Sequence, residues 1–339
     1  MYFEDKLSVP MRDGTLLATR VWKPSDTGRF PVVLERGYST GKIVNAESFV
    51  SAGYAYVGQQ CRGNLEGGMF RSDREDGYDC LDWIKSQPWC NGDIAMYGSS
   101  FQGATQWLVA PEQHPNLKAI VPQVINTDPW ERMYRDHGAL QLSHTARRIY
   151  RTVVSPDATK KVSEFGGWWK FYRHLPLITL DEAVVGHKNR LWREYVSHSS
   201  YDAYWNEITT FHKISKIRIP VYIQGGWYDN YPGASFRAFQ RLKEIAATDE
   251  IRIHVDATDH PGLVVGDRDF GSEPSKPRLQ LAIRWLDYVL RGINNGISDE
   301  PPVTIFVMGA NTWRQEQKWP LTQTQFTKYF LKLPGLSQE

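Results

Sequence analysis

The chain has 339 residues, 41% of them hydrophobic and 23% charged, which is enough apolar material for one large domain or about two and excludes a disordered chain. Its 40 basic and 38 acidic residues are interspersed and leave a net charge of +2, so no basic stripe marks a nucleic-acid partner. No stretch approaches the roughly 20 apolar residues of a membrane span, and the first residues lack the basic and apolar regions of an export leader. Cys61, Cys80 and Cys90 form neither a metal-ligand spacing nor a disulfide framework. The expectation is a soluble, cytoplasmic protein that needs no metal or other cofactor, binds no nucleic acid or membrane, and leaves room for a homo-oligomer.

Short apolar runs at residues 31–35, 54–58 and 93–97 read as strands, followed by others at 119–121, 221–224 and 251–255. Amphipathic helices are expected over 79–85, 234–245 and 279–290. Strand and helix alternate without an internal repeat, which predicts a doubly wound, mostly parallel α/β sheet built from residues 1–125 and 211–292. Residues 126–210 break the alternation and carry Trp130, Trp168, Trp169, Trp192 and Trp205. They read as a helical cap over the C-terminal edge of the sheet, where such sheets place their ligands.

After Gly292 a linker leads to two strand-like runs, 303–309 and 326–331. Residues 303–339 therefore read as the beginning of a C-terminal β-domain. Two strands do not make an independent sheet. The expectation is that a native reading frame continues past Glu339, and that Phe306, Val307, Phe326, Tyr329 and Phe330 otherwise leave apolar faces exposed.

The stretch Gly98-Ser99-Ser100-Phe101-Gln102-Gly103 lies between the strand at 93–97 and a helix starting near Gln102. A serine on a sharp strand-to-helix turn is the nucleophile elbow of α/β-hydrolases, usually written Gly-x-Ser-x-Gly; here the second glycine comes one place later. A serine hydroxyl needs a base to take its proton, and the base needs a carboxylate to orient it. Asp229 follows the strand at 221–224, and His260 follows the strand at 251–255, in the order serine, acid, histidine. Asp229 could instead cap the helix starting near Pro232. Asp256 and Asp259 compete with it as the acid, and His254, placed mid-strand, faces a sheet surface rather than a cleft. The Phe101 N–H is one oxyanion-hole donor by position. The loop after the first strand, residues 36–40, offers the Tyr38 hydroxyl as the second, or Tyr38 packs under the cap.

These residues resemble the family of bacterial cocaine esterase, α-amino-acid ester hydrolases and Xaa-Pro dipeptidyl-peptidases. The resemblance runs through Val9-Pro10-Met11-Arg12-Asp13-Gly14, Arg62-Gly63 with Glu66-Gly67, Gln87-Pro88-Trp89-Cys90-Asn91-Gly92, the elbow, Gly226-Trp227-Tyr228-Asp229, and Phe306-Val307-Met308-Gly309 with Trp313-Arg314. It implies an α/β-hydrolase fold with a helical cap and a C-terminal jelly-roll-like β-sandwich, of which this chain holds the start or whose remainder is lost or replaced. It also implies Ser100 as nucleophile, Asp229 as acid, His260 as base, and Tyr38 with the Phe101 N–H as oxyanion hole. The resulting expectation is a serine hydrolase that cleaves small acyl esters or amides through an acyl-enzyme. The alternatives are an Xaa-Pro dipeptidyl-peptidase and a catalytically inactive binding module. Trp168, Trp169 and Tyr231 are the expected walls of a pocket for an apolar or aromatic acyl group.

Three places depart from the family pattern. Gln60 and Cys61 precede Arg62, and Asp256-Ala257-Thr258-Asp259 leads into His260. Asn230, Tyr231 and Pro232 stand where the amino-acid ester hydrolases carry acidic residues that hold an ammonium group, so recognition of a free amine is not expected.

Overall fold

A computed structural model describes residues 1–62, 72–128, 130–131, 139–150, 157–245 and 248–331. Gly63, Glu66 and Gly67 of the family pattern, and residues 332–339, lie outside the described residues. Among the described residues ten strands form one sheet in the order β1 (Tyr2–Pro10), β2 (Leu16–Lys23), β4 (Ala55–Gln60), β3 (Phe30–Gly37), β5 (Cys90–Ser99), β6 (Leu117–Gln123), β7 (Val221–Gly226), β8 (Ile251–Asp256), β9 (Val303–Val307) and β10 (Thr312–Glu316). The six strands expected in the α/β core are all present: β3 (Phe30–Gly37), β4 (Ala55–Gln60), β5 (Cys90–Ser99), β6 (Leu117–Gln123), β7 (Val221–Gly226) and β8 (Ile251–Asp256). They run parallel to one another. Every residue of β7 and β8 is buried, as a parallel strand covered on both faces requires.

The period of two along these strands sorts side chains between two cores. Val32, Leu34, Ile94 and Met96 face a cluster that includes Leu81 and Ile84 of α2 (Asp73–Ser86), Trp107 and Leu108 of α3 (Phe101–Val109), and a later helix. Val33, Ala95 and Tyr97 face the other cluster, with Phe49 of α1 (Ile43–Ser51) and a second later helix. Parallel direction brings the loops after β3, β5, β7 and β8 out at one edge of the sheet. Those loops carry Tyr38, Ser100, Asp229 and His260.

The sequence reading did not foresee β1 (Tyr2–Pro10) and β2 (Leu16–Lys23), an antiparallel pair at the sheet edge. Their connection is a turn in which Gly14 sits at φ +84°. Arg62 fixes this pair to the core: its guanidinium binds Asp13 beside the turn, and its Nη2 lies 2.6 Å from Asp76 of α2.

Between β6 and β7 the described residues form short helices: α4 (Leu142–Ile149), α5 (Ala158–Phe165), α6 (Gly167–Tyr172), α7 (Leu180–Val185), α8 (Arg190–Ser197) and α9 (Ala203–Ile208). They bury a core of their own around Tyr150, Phe171, Trp192, Tyr195 and Trp205. The sheet-covering helices α10 (Pro232–Glu244) and α11 (Arg278–Arg291) follow β7 and β8. Phe236, Phe239 and Leu242 of α10 complete the first cluster, and Trp285 and Leu286 of α11 complete the second.

The C-terminal strands differ from expectation in partner and position. β9 (Val303–Val307) pairs in parallel with β8 and so extends the central sheet. Phe306 is buried with Ala257 and Phe270 rather than exposed. Its antiparallel partner is β10 (Thr312–Glu316), a polar run that continues the hairpin, whereas residues 326–331 form no strand. Phe326, Tyr329 and Phe330 are exposed, as the sequence reading expected of their apolar faces.

Candidate active site

The elbow is built by backbone strain that small neighbours permit. Ser100 has φ +58° and ψ −120°, a conformation that costs a residue with a Cβ on the order of 1–3 kcal/mol. Its N–H donates to the Gln123 carbonyl at 2.9 Å, and its own carbonyl accepts from Gly103 at 2.9 Å and Ala104 at 3.0 Å. A Cβ on Gly98 would stand 2.4 Å from the Gln102 Cβ, and φ there is +149°. A Cβ on Gly103 would stand 2.6 Å from Ile125 Cγ2 and 3.1 Å from the Gln123 carbonyl. The glycine one place late in the sequence motif is therefore the residue that lets α3 close onto the end of β6. Phe101 is the first residue of α3, where backbone N–H groups and the helix dipole favour negative charge.

The end of β7 is laced to the end of β8. The Trp227 N–H donates to the Asp256 carbonyl at 2.8 Å and the Tyr228 N–H to the Thr258 carbonyl at 3.0 Å. On this framework the buried Asp229 carboxylate lies with Oδ1 2.8 Å from His260 Nδ1. A carboxylate only accepts, so Nδ1 carries a proton, and in the neutral imidazole Nε2 is the ring nitrogen with the free lone pair. The imidazole is 37% exposed, while its partner is 1% exposed.

The other candidate acids and the other histidine have different surroundings. Asp229 does not cap α10, whose N-cap is Tyr231. Asp256 is engaged by Arg278 at 2.9 Å and by the Thr258 hydroxyl. The Asp259 carboxylate accepts from the Leu263 N–H at 2.8 Å and closes a local turn. His254 is buried in β8 under the Trp313 ring, 4.9 Å between centroids. Burial first, and then the nearby Arg278 and Lys276 charges, push its pKa down to about 3.

Tyr38 follows β3, is 47% exposed, and stacks on the Phe101 ring with centroids 4.5 Å apart and planes 15° from parallel. The two residues expected at an oxyanion hole are thus in contact through their rings. Of the three expected pocket residues, Tyr231 is brought to the site: it is buried, with its ring 6.0 Å from that of His260. Trp168 packs on Phe171 and Tyr172 among the helices between β6 and β7, and Trp169 is exposed, with the Arg173 guanidinium 3.9 Å above its ring. Sequence reasoning missed His144 of α4, which lies 3.2 Å from the Tyr231 hydroxyl and 3.4 Å from Asn230 Nδ2. It is more than 80 residues from either partner in sequence, and no local motif marks it. Among the described residues there is no cluster of three metal-ligating side chains, and no helix is long and apolar enough to cross a membrane.

Strand order, sheet direction and the strained serine turn between β5 and α3 make this an α/β-hydrolase. Comparison with known proteins narrows the group. Residues 13–262 match the X-Pro dipeptidyl-peptidase (S15) family, and residues 295–339 match the X-Pro dipeptidyl-peptidase C-terminal non-catalytic domain. The chain belongs to this S15 family. It is 31% identical to cocaine esterase of Rhodococcus sp. (strain MB1 Bresler), in an alignment that covers 95% of this chain and 61% of that esterase. An aminopeptidase from a marine sediment Thaumarchaeota archaeon superposes with a TM-score of 0.71 at 21% identity, over 94% of this chain and 59% of that one. A CocE/NonD family hydrolase from Staphylococcus aureus gives a TM-score of 0.68 at 21% identity, over 96% of this chain and 57% of that one. The chain thus spans about three-fifths of the length of these relatives.

Proposed function

We propose that this chain hydrolyses acyl esters or amides of small molecules through an acyl-enzyme. Ser100 Oγ attacks the carbonyl carbon as His260 Nε2 takes its proton. The carbonyl oxygen becomes an oxyanion held by the Phe101 N–H and the Tyr38 hydroxyl. Collapse breaks the bond to the leaving group, which departs with the proton from the imidazolium. Water then attacks the acyl-Ser100 carbonyl, giving its proton to His260, and the acid is released with Ser100 restored. Asp229 holds the imidazole with Nδ1 protonated throughout. The observation that carries this reading is the 2.8 Å pair of a buried Asp229 with a half-open His260 at the sheet edge that also carries the strained Ser100 turn.

The esterase reading is favoured over the Xaa-Pro dipeptidyl-peptidase reading on two grounds. The 31% identity is to a cocaine esterase, and the residues after Asp229 are Asn230, Tyr231 and Pro232. No carboxylate stands there to pair with a peptide N-terminus. Tyr231 is assigned as a pocket wall beside His260, and residues 1–125 with 211–292 as the hydrolase core under a cap of 126–210. Residues 303–339 are assigned to the beginning of a C-terminal β-domain. The test is a turnover screen with p-nitrophenyl esters of graded acyl size against an Xaa-Pro p-nitroanilide, with Ser100→Ala as the blank. Ester turnover that vanishes in the blank supports the reading; anilide turnover alone would shift it to the peptidase.

A further inference from the structure

Two side-chain bridges join the cap side to the segment that begins at Asp229. Glu131 pairs with Arg237 of α10, and His144 of α4 reaches Asn230 and Tyr231, the two residues directly after the acid. On α4, Thr145 and Ala146 are buried and Ser143 and Arg147 are exposed, leaving His144 half-buried at the boundary. The Asn230 amide nitrogen can only donate, so His144 Nδ1 accepts from it at 3.4 Å. Nε2 then carries the ring proton and donates to the Tyr231 hydroxyl oxygen at 3.2 Å. The Tyr231 ring in turn packs edge-to-face with the His260 imidazole, 6.0 Å between centroids and 69° between planes. A continuous chain of contacts runs from the cap through His144 and Tyr231 to the ring that Asp229 orients.

We infer that His144 is a positioning residue: it fixes the Asn230–Tyr231 turn and, through the Tyr231 ring, the orientation of His260, so that cap seating and proton transfer are coupled. The inference rests on the hydrolase reading above for its kinetic consequence, but not for its geometric one. The base must be aligned to within a fraction of an ångström for proton transfer, while ground-state binding of an ester does not depend on that alignment. Loss of His144 therefore acts on kcat and leaves KM nearly unchanged.

The test uses the full chain with His144→Ala, His144→Gln, Tyr231→Phe and the double variant His144→Ala/Tyr231→Phe. Both single losses break the same hydrogen bond, so each should lower kcat about tenfold and the double variant should fall no further than the worse single. His144→Gln, whose amide can still donate to the Tyr231 hydroxyl, should recover most of the loss. A kcat within twofold of wild type in His144→Ala overturns the inference. So do effects that multiply in the double variant, since independent losses do not share a bond.

A proton NMR reading separates this idea from the hydrolase reading. The downfield Nδ1–H resonance of His260 should be sharp in wild type and His144→Gln, and broadened or shifted in His144→Ala and Tyr231→Phe. An unchanged resonance in His144→Ala overturns the positioning role even if the protein is a hydrolase. Fluorophosphonate labelling of the wild type judges the hydrolase reading by itself. An unlabelled Ser100 would end that reading while the resonance still decides what His144 does.

Discussion

Gly226, the last residue of β7, lies where the acid-bearing and base-bearing loops pack against each other. A Cβ added there would stand 2.2 Å from the Thr258 carbonyl oxygen and 2.9 Å from its carbon, where ordinary contact begins at 3.4 Å. The obstacle is backbone, and it is held: the Thr258 hydroxyl binds Asp256 and receives the Arg278 guanidinium at 2.7 Å. Gly226→Ala must therefore part the two loops by about 1 Å, which breaks the Tyr228 N–H bond to the Thr258 carbonyl and stretches the Asp229–His260 pair. Misplacement on that scale costs about 100-fold in kcat, and the overpacking costs about 1–3 kcal/mol of stability. Gly225→Ala is the matched control, because its Cβ would meet only the Ser235 hydroxyl at 3.9 Å. The assay is p-nitrophenyl ester turnover for both variants, with urea unfolding to measure stability. Equal turnover in the two variants would refute the claim that the strand-end packing at Gly226 sets the acid–base geometry.

Other consequences can be checked alongside. Tyr38→Phe keeps the stack on Phe101 and removes only the hydroxyl, so kcat should fall by about 10²–10³-fold with KM little changed; a raised KM at unchanged kcat would make Tyr38 a packing residue. His254 is buried neutral with its pKa pushed down to about 3, so between that value and the unfolded value near 6.5 the unfolded chain binds the extra proton. Stability is then lost as pH falls through this window. Between pH 7 and pH 5 the wild type should lose about 2 kcal/mol more than His254→Leu in denaturant titrations, and equal losses would contradict the assignment. Gly103→Ala should be destabilising despite the helix propensity of alanine, because its Cβ has 2.6 Å to Ile125 Cγ2; a raised melting temperature would show that α3 is not packed as tightly as described.

The central strands were legible because both faces of a parallel strand are apolar, and 31–35, 93–97 and 251–255 carry that signal in a few residues. The loops after them inherit their places from strand direction, which is why the sequence alone puts Ser100, Asp229 and His260 on one edge. The pair β1 and β2 was hidden because an edge pair needs little apolar content; Glu4, Asp5 and Lys6 interrupt any alternation. The run 326–331 looks more strand-like than 312–316, yet Thr312–Glu316 pairs because the turn at Gly309 returns it onto β9. Position in the hairpin outweighs β-propensity there. His144 was invisible for a different reason. Its meaning depends on two residues beyond the cap, and neither spacing nor periodicity links them.

The most direct test of the account is where a fluorophosphonate goes. Treat the purified chain with the probe, measure the intact mass, and locate the adduct by peptide mapping. One adduct per chain on Ser100, absent in Ser100→Ala and greatly slowed in His260→Ala and Asp229→Ala, is the predicted result, since the serine is a nucleophile only while the oriented imidazole takes its proton. No adduct on folded wild type, or an adduct on Ser99 that survives Ser100→Ala, would contradict it.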